Sequence, residues 1–161
     1  MSNAIFQVPI PQNEPVFDYA PGTPERSQLK GALRDQAGRQ IEIPLIIGGE
    51  EIRSGNTGQV VMPHDHGHVL ATYHKAGEAE VKRAIQAAAV AWEDWSRMPW
   101  ETRAAVFLKA ADILTCRRRA ELNAAAMLDL SKTAHQSEID AIAELADFWR
   151  FNPYYMMQIM Q

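Results

Sequence analysis

Apolar residues recur at helical spacing in the second half of the chain. Five of them follow one another at steps of 4, 3, 4 and 3 residues: Val81, Ile85, Ala88, Trp92 and Trp95. Steps of three and four residues place side chains on one face of an α-helix. Because Gly77 precedes acidic residues that suit the positive end of a helix, the pattern predicts an amphipathic helix that starts after Gly77.

Two more helices are predicted directly behind it. Pro99 suits the first turn of a helix, and the apolar face of that helix consists of Ala104, Phe107, Leu108, Ala111 and Leu114. Arg117, Arg118 and Arg119 follow, where cations are favourable at the negative end of a helix. A third helix is predicted over residues 120–130.

The last helix has both a start and a stop signal. Thr133 and Gln136 have the spacing of a capping box. An apolar stripe follows at steps of 3, 4 and 3: Ile139, Ile142, Ala146 and Trp149. Pro153 lacks a backbone donor and its ring meets the carbonyl four residues back, so we expect it to bend or break this helix.

The first 76 residues follow other patterns. Residues 1–40 start with a segment that contains four prolines, which predict an extended arm laid over the rest of the chain. Thr23-Pro24 then predicts a short helix that ends at Gly38 and carries Leu29 and Leu33 on one face. Residues 41–76 contain three apolar β-type runs, separated by turns at Gly48-Gly49, Gly55 to Gly58 and Asp65 to Gly67. They predict a small antiparallel β meander, and residues 77–161 form the helical part.

Composition restricts the class of protein. The 161 residues carry 16 Lys and Arg against 20 Asp and Glu, a net charge of −4, and one cysteine. This acidic balance disfavours nucleic-acid binding, which requires clustered cations, and one cysteine excludes an intrachain disulfide. Residues 1–12 resemble no targeting peptide and no run is long enough for a membrane span, so we expect a cytoplasmic protein with no membrane partner.

Two candidate sites have simpler alternatives. His64, His66 and His68, with Asp65, could hold a metal if they lay in one extended segment, but Gly67 favours a polar turn between strands. Cys116 beside Arg117 could be a thiolate nucleophile. Because no base and no oxyanion donors accompany it, a partly buried helix position is the favoured interpretation.

Three carboxylates of the last helix share one face. Asp140, Glu144 and Asp147 are spaced by 4 and 3 residues. Paired carboxylates can perform acid–base chemistry, but a stripe of three on one helix face is more often solvated. The methionine-rich end, with Met156, Met157, Ile159 and Met160, is typical of packing.

Several segments, taken as strings, resemble the 1-pyrroline-5-carboxylate dehydrogenase (L-glutamate γ-semialdehyde dehydrogenase) family of the aldehyde dehydrogenase superfamily. They run in family order: Asn13-Glu14-Pro15-Val16, Tyr19 to Arg26, Pro44 to Gly49, His66-Gly67-His68, Phe107 to Asp112, Ala134 to Asp140 and Ala143 to Asn152. The resemblance implies an α/β, aldehyde dehydrogenase-like parent. This chain is its N-terminal portion, mostly α-helical with the small β meander, and stops before the dinucleotide-binding fold.

The resemblance also implies a function. The parent oxidises L-glutamate 5-semialdehyde to L-glutamate with NAD in proline degradation, through a cysteine thiolate and a carboxylate base, and is a homo-oligomer. Those catalytic segments are missing, Cys116 does not match the nucleophile, and we expect no catalytic, NAD-binding or metal residue in this chain. Glu144 matches an acidic residue that lines the substrate tunnel, whereas Asp140 and Asp147 keep the solvated interpretation.

The chain departs from the family pattern at two places. Ser131-Lys132 stands where relatives often have Gly-Lys, and Pro153 replaces a residue that a helix accepts more readily. The competing hypothesis is a stand-alone helical interaction module without catalytic activity.

Overall fold

A computed structural model describes residues 5–160. The α-helices are α1 (Pro24–Ala37), α2 (Glu78–Arg97), α3 (Trp100–Ile113), α4 (Arg119–Leu130), α5 (Ala134–Ser137) and α6 (Glu144–Met160). Two π-helical turns, Leu114–Arg118 and Glu138–Ala143, connect α3 to α4 and α5 to α6. The strands are β1 (Ile41–Ile43), β2 (Leu45–Ile47), β3 (Glu50–Ile52), β4 (Thr57–Met62) and β5 (Asp65–His74). The expectation of a mostly helical chain with a small antiparallel sheet is confirmed.

The β segment differs from a single meander. β4 and β5 pair antiparallel as predicted, but β1 lies parallel to β5, and β2 and β3 form a separate hairpin through Gly48 and Gly49. Both glycines have positive φ, which such a tight turn requires. Pro44 separates β1 from β2 because it has no N–H to donate to a ladder. One sequence run thus supplies strands to two sheets.

Helix starts largely follow the sequence signals. Thr133 and Gln136 form the predicted capping box, in which Gln136 N donates to Thr133 Oγ1 and Thr133 N donates to Gln136 Oε1. Pro24 opens α1 as expected, but the Thr23 hydroxyl donates to the Ala20 carbonyl and does not cap the helix. Leu29 is buried on the face that α1 packs against α4, with Leu33 beside it.

Helical conformation continues where the sequence predicted ends. The segment from α3 to α4 does not stop at Arg117–Arg119, because the first π turn carries the chain through it. Helix α6 likewise passes Pro153 without a break. Pro153 is buried, and α6 is packed in the core both before and after it. Ala146 belongs to one core cluster and Met157 to another.

The loop before α5 explains one departure from the family pattern. Ser131 has φ +53°, ψ +31°, a left-handed conformation in which glycine is least strained. Its hydroxyl lies 2.7 Å from His64 Nδ1. A serine is more strained than glycine at this position, but its hydroxyl holds the loop to the turn between β4 and β5.

The core consists of small clusters, and one helix lies outside all of them. Val8, Ala104 and Met157 form the first, Tyr19, Leu29 and Ala124 the second, and Leu114, Ile142 and Ala146 the third. Helix α2 contributes no buried residue, and its stripe is exposed at Ile85 (64%) and Trp92 (66%). Within residues 5–160, no helix is both long and apolar enough to cross a bilayer.

Candidate functional site

A cleft of about 630 Å³ opens beside the first residue of α6, Glu144. Glu144 is exposed, and its carboxylate forms no hydrogen bond or ion pair with any residue of the described part of the chain. The same helix and the preceding π turn supply aromatic, aliphatic and amide walls: Ile139, Phe148, Phe151, Asn152 and Tyr155. The cleft thus combines an available carboxylate with a largely apolar lining, which is typical of small-molecule sites.

The N-terminal arm supplies the remaining side of the cleft. Asn13, Glu14 and Val16 line it, although they lie about 130 residues from α6 in the sequence. The arm is fastened by Asp147, which accepts hydrogen bonds from Asn13 Nδ2 (2.6 Å) and from the Glu14 backbone N–H (2.7 Å). The solvated interpretation of Asp147 is therefore wrong, because its carboxylate replaces the partners that an extended arm lacks.

Asp140 and Glu144 occupy different surroundings despite their spacing. Asp140 is exposed and pairs with Lys132 at 2.7 Å. It does not line the cleft. Of the three carboxylates that the sequence placed on one face, only Glu144 and Asp147 meet there.

Glu138 is the charged residue that the sequence analysis missed. Its side chain is fully buried and accepts from Tyr19 Oη (2.6 Å), Asn123 Nδ2 (2.8 Å) and the Phe17 backbone N–H (2.9 Å). The Arg119 guanidinium donates to it through Nε and Nη2. The signal was present, since Glu138 lies four residues before Ile142 and so falls on the buried face of the helix.

These donors determine how Glu138 and its neighbours ionise. Burial alone raises the pKa of Glu138, but hydrogen bonds from Arg119, Tyr19, the Phe17 amide and Asn123 outweigh it, and the net pKa lies below the usual value. Burial and the hydrogen bond to Glu138 raise the pKa of Tyr19. Burial lowers the pKa of Arg119, but the hydrogen bonds and negative charges of Glu138 and Glu14 raise it by more than burial lowers it. The net pKa of Arg119 is therefore above its usual value. Glu138 and Arg119 are therefore charged when folded at neutral pH.

Arg119 extends this buried pair toward the arm. Its Nη1 donates to Glu14 Oε1 at 2.6 Å, and Glu14 Oε2 accepts from Arg150 Nη1 at 2.6 Å. Four charges thus alternate in sign from the second π turn to α6, through α4 and the arm. The prediction that Arg117–Arg119 serve a helix end is wrong for Arg119, which binds Glu138, Glu14 and the Pro15 carbonyl instead.

Acid should weaken the fold through Glu138. Because its pKa is lowered on folding, its stabilising contribution is present above the unfolded value of about 4.5 and is lost as pH falls through the folded value. We expect the free energy of unfolding, measured by urea titration across this acid range, to fall more steeply for the native chain than for Glu138→Gln. Parallel pH profiles for the two proteins would contradict the assignment.

The histidine cluster does not converge. His64 lies 2.7 Å from Ser131 Oγ, and His68 Nε2 lies 2.9 Å from the Ala37 carbonyl at the end of α1. The chain turns at Pro63 and His64, whereas Gly67 lies within β5. Across residues 5–160, no group of three or more His, Cys, Asp or Glu side chains is placed to hold a metal.

The remaining candidates are peripheral. Cys116 lies in the first π turn and is exposed, so the partly buried interpretation is wrong. Met157 packs in the core with Val8, as predicted for the methionine-rich end of the chain. Ile159 and Met160 at the end of α6 are exposed, against that prediction. Neither feature contributes to the cleft.

Comparison with known sequences relates this architecture to a family. The sequence profile of the "Aldehyde dehydrogenase family" matches residues 51–161. The chain belongs to the aldehyde dehydrogenase family. Among its relatives, Delta-1-pyrroline-5-carboxylate dehydrogenase of Agaricus bisporus is 45% identical over 157 residues, which are 97% of this chain and 29% of that protein. The mitochondrial enzyme of that name from Homo sapiens is 44% identical over 147 residues, 91% of this chain and 26% of that protein.

Solved aldehyde dehydrogenase structures agree with the fold. The Delta-pyrroline-5-carboxylate dehydrogenase of Mycobacterium tuberculosis, crystallised with NAD, superposes with a TM-score of 0.97 at 45% identity. The superposition covers 99% of this chain and 30% of that one. The resemblance that the sequence motifs predicted is confirmed, and the chain spans less than a third of the length of these relatives.

Proposed function

We propose that this chain is the N-terminal part of an NAD-dependent dehydrogenase that oxidises L-glutamate 5-semialdehyde, formed from 1-pyrroline-5-carboxylate, to L-glutamate in proline degradation. The observation that carries the proposal is 45% identity over nearly the whole chain to relatives named for that substrate. The chain contributes one side of the substrate site, and the segments with the thiolate and its base belong to the rest of such an enzyme.

Glu144 is the substrate-binding residue in this proposal. Its carboxylate is exposed in a mostly apolar cleft and has no partner among the described residues, so it is available to accept a hydrogen bond. A water molecule or the hydrated aldehyde supplies the donor, and apolar walls strengthen the bond by lowering the local dielectric. Asp147 is less available because the arm already occupies both of its oxygens.

NAD would bind outside this chain. When bound, it accepts the hydride of the oxidised aldehyde. The sequence has no G-x-G-x-x-G turn between a strand and a helix, so we assign none of its residues to the cofactor. We therefore expect the purified 161-residue chain to produce no NADH from the semialdehyde, and robust NADH formation by it would contradict the proposal.

A hybrid enzyme tests the function directly. Residues 1–161 replace the matching 30% of the Mycobacterium tuberculosis enzyme, and NADH formation from the semialdehyde is measured by absorbance. We expect turnover by the hybrid. A hybrid that melts cooperatively and has the size of the parent, yet forms no NADH, would refute the proposal.

Glu144→Gln in that hybrid tests the site. Removing a hydrogen bond to a charged acceptor costs about 1.5–3 kcal/mol, so we expect kcat/KM to fall roughly 10- to 100-fold. Asp140→Asn is the matched control, since it neutralises an exposed carboxylate one turn earlier that does not line the cleft. Equal kcat/KM for both variants would remove Glu144 from the substrate site.

The stand-alone interaction module remains the alternative. The exposed stripe of α2 and the exposed end of α6 fit either hypothesis. A monodisperse 161-residue monomer with a cooperative melt favours the module, whereas aggregation through these surfaces favours a part of a larger body. In the proposed enzyme we expect a homo-oligomer. The cytoplasmic location stays a prediction, since the human relative is named mitochondrial.

A further inference from the structure

Nearly every residue of the arm from Asn13 to Phe17 is fixed to the helices by a polar contact. Asp147 binds Asn13 and the Glu14 amide, Arg119 Nη2 donates to the Pro15 carbonyl at 2.6 Å, and Glu138 accepts from the Phe17 amide. The Arg119 guanidinium also lies 3.9 Å from the centre of the Phe17 ring, a cation–π distance. An extended segment with no strand partner thereby has a defined position.

Glu14 is the centre of this attachment. Its side chain is 9% exposed, and its two carboxylate oxygens bind different arginines, Arg119 of α4 and Arg150 of α6. Charge-assisted bonds of this kind are stronger than neutral ones, and a carboxylate with two separate partners has its orientation fixed. Glu14 therefore connects the two helices through the arm.

Val16 is the arm residue left without such a contact. It is 48% exposed and lines the same cleft as Glu144. The residues before and after it are held by Arg119 and Glu138, so the position of the Val16 side chain depends on those charges. The position of this wall of the cleft thus depends on the ion pairs that hold the arm.

We propose that Glu14 is a positioning residue for substrate binding, which acts through Arg119 and Arg150 to hold the arm, with Val16, as the wall of the cleft that contains Glu144. The inference rests on the proposed function, because it assigns the cleft to the aldehyde. It adds that substrate affinity depends on a residue whose carboxylate is bound to arginines and is unavailable to the substrate.

The test separates affinity from turnover in the hybrid enzyme. Glu14→Gln keeps the size of the side chain but removes its charge, so the arm loosens while Glu144 and the catalytic segments remain. We expect KM for the semialdehyde to rise about 5- to 10-fold with kcat within about twofold, the pattern of lost uniform binding. Glu14→Asp should restore part of the affinity. Glu121→Gln is the matched control, since it removes an exposed pair with Arg118 and should leave KM unchanged.

Val16→Trp keeps the test decisive if Glu14→Gln fails to fold. Val16 is half-exposed, so a larger side chain should project into the cleft, raise KM and leave the melting temperature unchanged. This inference would be overturned, and the proposed function would stand, if the hybrid were active and KM were unchanged by Val16→Trp and by Glu14→Gln where that variant folds. A folded hybrid without turnover would instead overturn the proposed function.

Discussion

Replacing Arg119 by methionine should lower the free energy of unfolding by about 3–5 kcal/mol, the cost of removing one partner from a buried ion pair. Arg119 is 11% exposed, and its two carboxylate partners, Glu138 and Glu14, are 0% and 9% exposed. Methionine retains an apolar side chain of similar length, so the loss comes mainly from Glu138, which is left buried without a cation, and in part from Glu14, which keeps only Arg150. The loss of stability is measured by urea denaturation at neutral pH, with circular dichroism as the signal for unfolding.

Arg118→Met is the matched control for this prediction. Arg118 is the adjacent residue and also pairs with a glutamate, Glu121, but both side chains are more than half exposed. Exposed pairs of this kind contribute about 0.2–1 kcal/mol. Similar losses for Arg118→Met and Arg119→Met would mean that burial of the network does not determine its contribution.

A second replacement tests whether the loss arises at Glu138. In Arg119→Met/Glu138→Gln no charge remains at the fully buried position, so the double variant should be more stable than the sum of the two single losses implies. Strict additivity would show that Arg119 and Glu138 act independently, against the hydrogen bonds between them.

The helices were predictable where the signal is local. Pro24, the Thr133–Gln136 box and the steps between apolar residues involve groups within one or two turns of each other, and each predicted element is present. Interruptions were less predictable. The sequence marks Arg117–Arg119 as a helix end and Pro153 as a bend or break, yet the chain is helical through both.

The candidate site was predictable only in part, because one side of it comes from the arm. The family resemblance predicted a substrate-binding role for Glu144, which stays a prediction, and the structure places this residue at a cleft. No local pattern pairs Asp147 with Glu14 or Arg119 with Glu138. Those contacts join residues up to 133 positions apart. Spacing along a helix can indicate which carboxylates share a face, and only the fold shows which of them find a partner.

Ile139 and Ile142 both lie in the π turn before α6, Glu138–Ala143, but they differ in burial. The helical stripe treats the two residues as equivalent, but the wider π turn changes the phase of the helix between them. Ile142 is 0% exposed and packs with Leu114 and Ala146, whereas Ile139 is 38% exposed at the cleft. The same chemical change should therefore have different effects at positions three residues apart.

Ile142→Ala should destabilise the chain by about 2–5 kcal/mol, since it removes buried apolar contacts and leaves a cavity in a close-packed cluster. Ile139→Ala is the matched control and should cost about 1 kcal/mol or less, because 38% of Ile139 is already exposed and its truncation leaves no closed cavity. Urea denaturation of both variants with unchanged m-values measures the difference. If Ile139→Ala were as damaging as Ile142→Ala, the two residues would share one buried face, and a regular α-helix would run where the structure has a π turn.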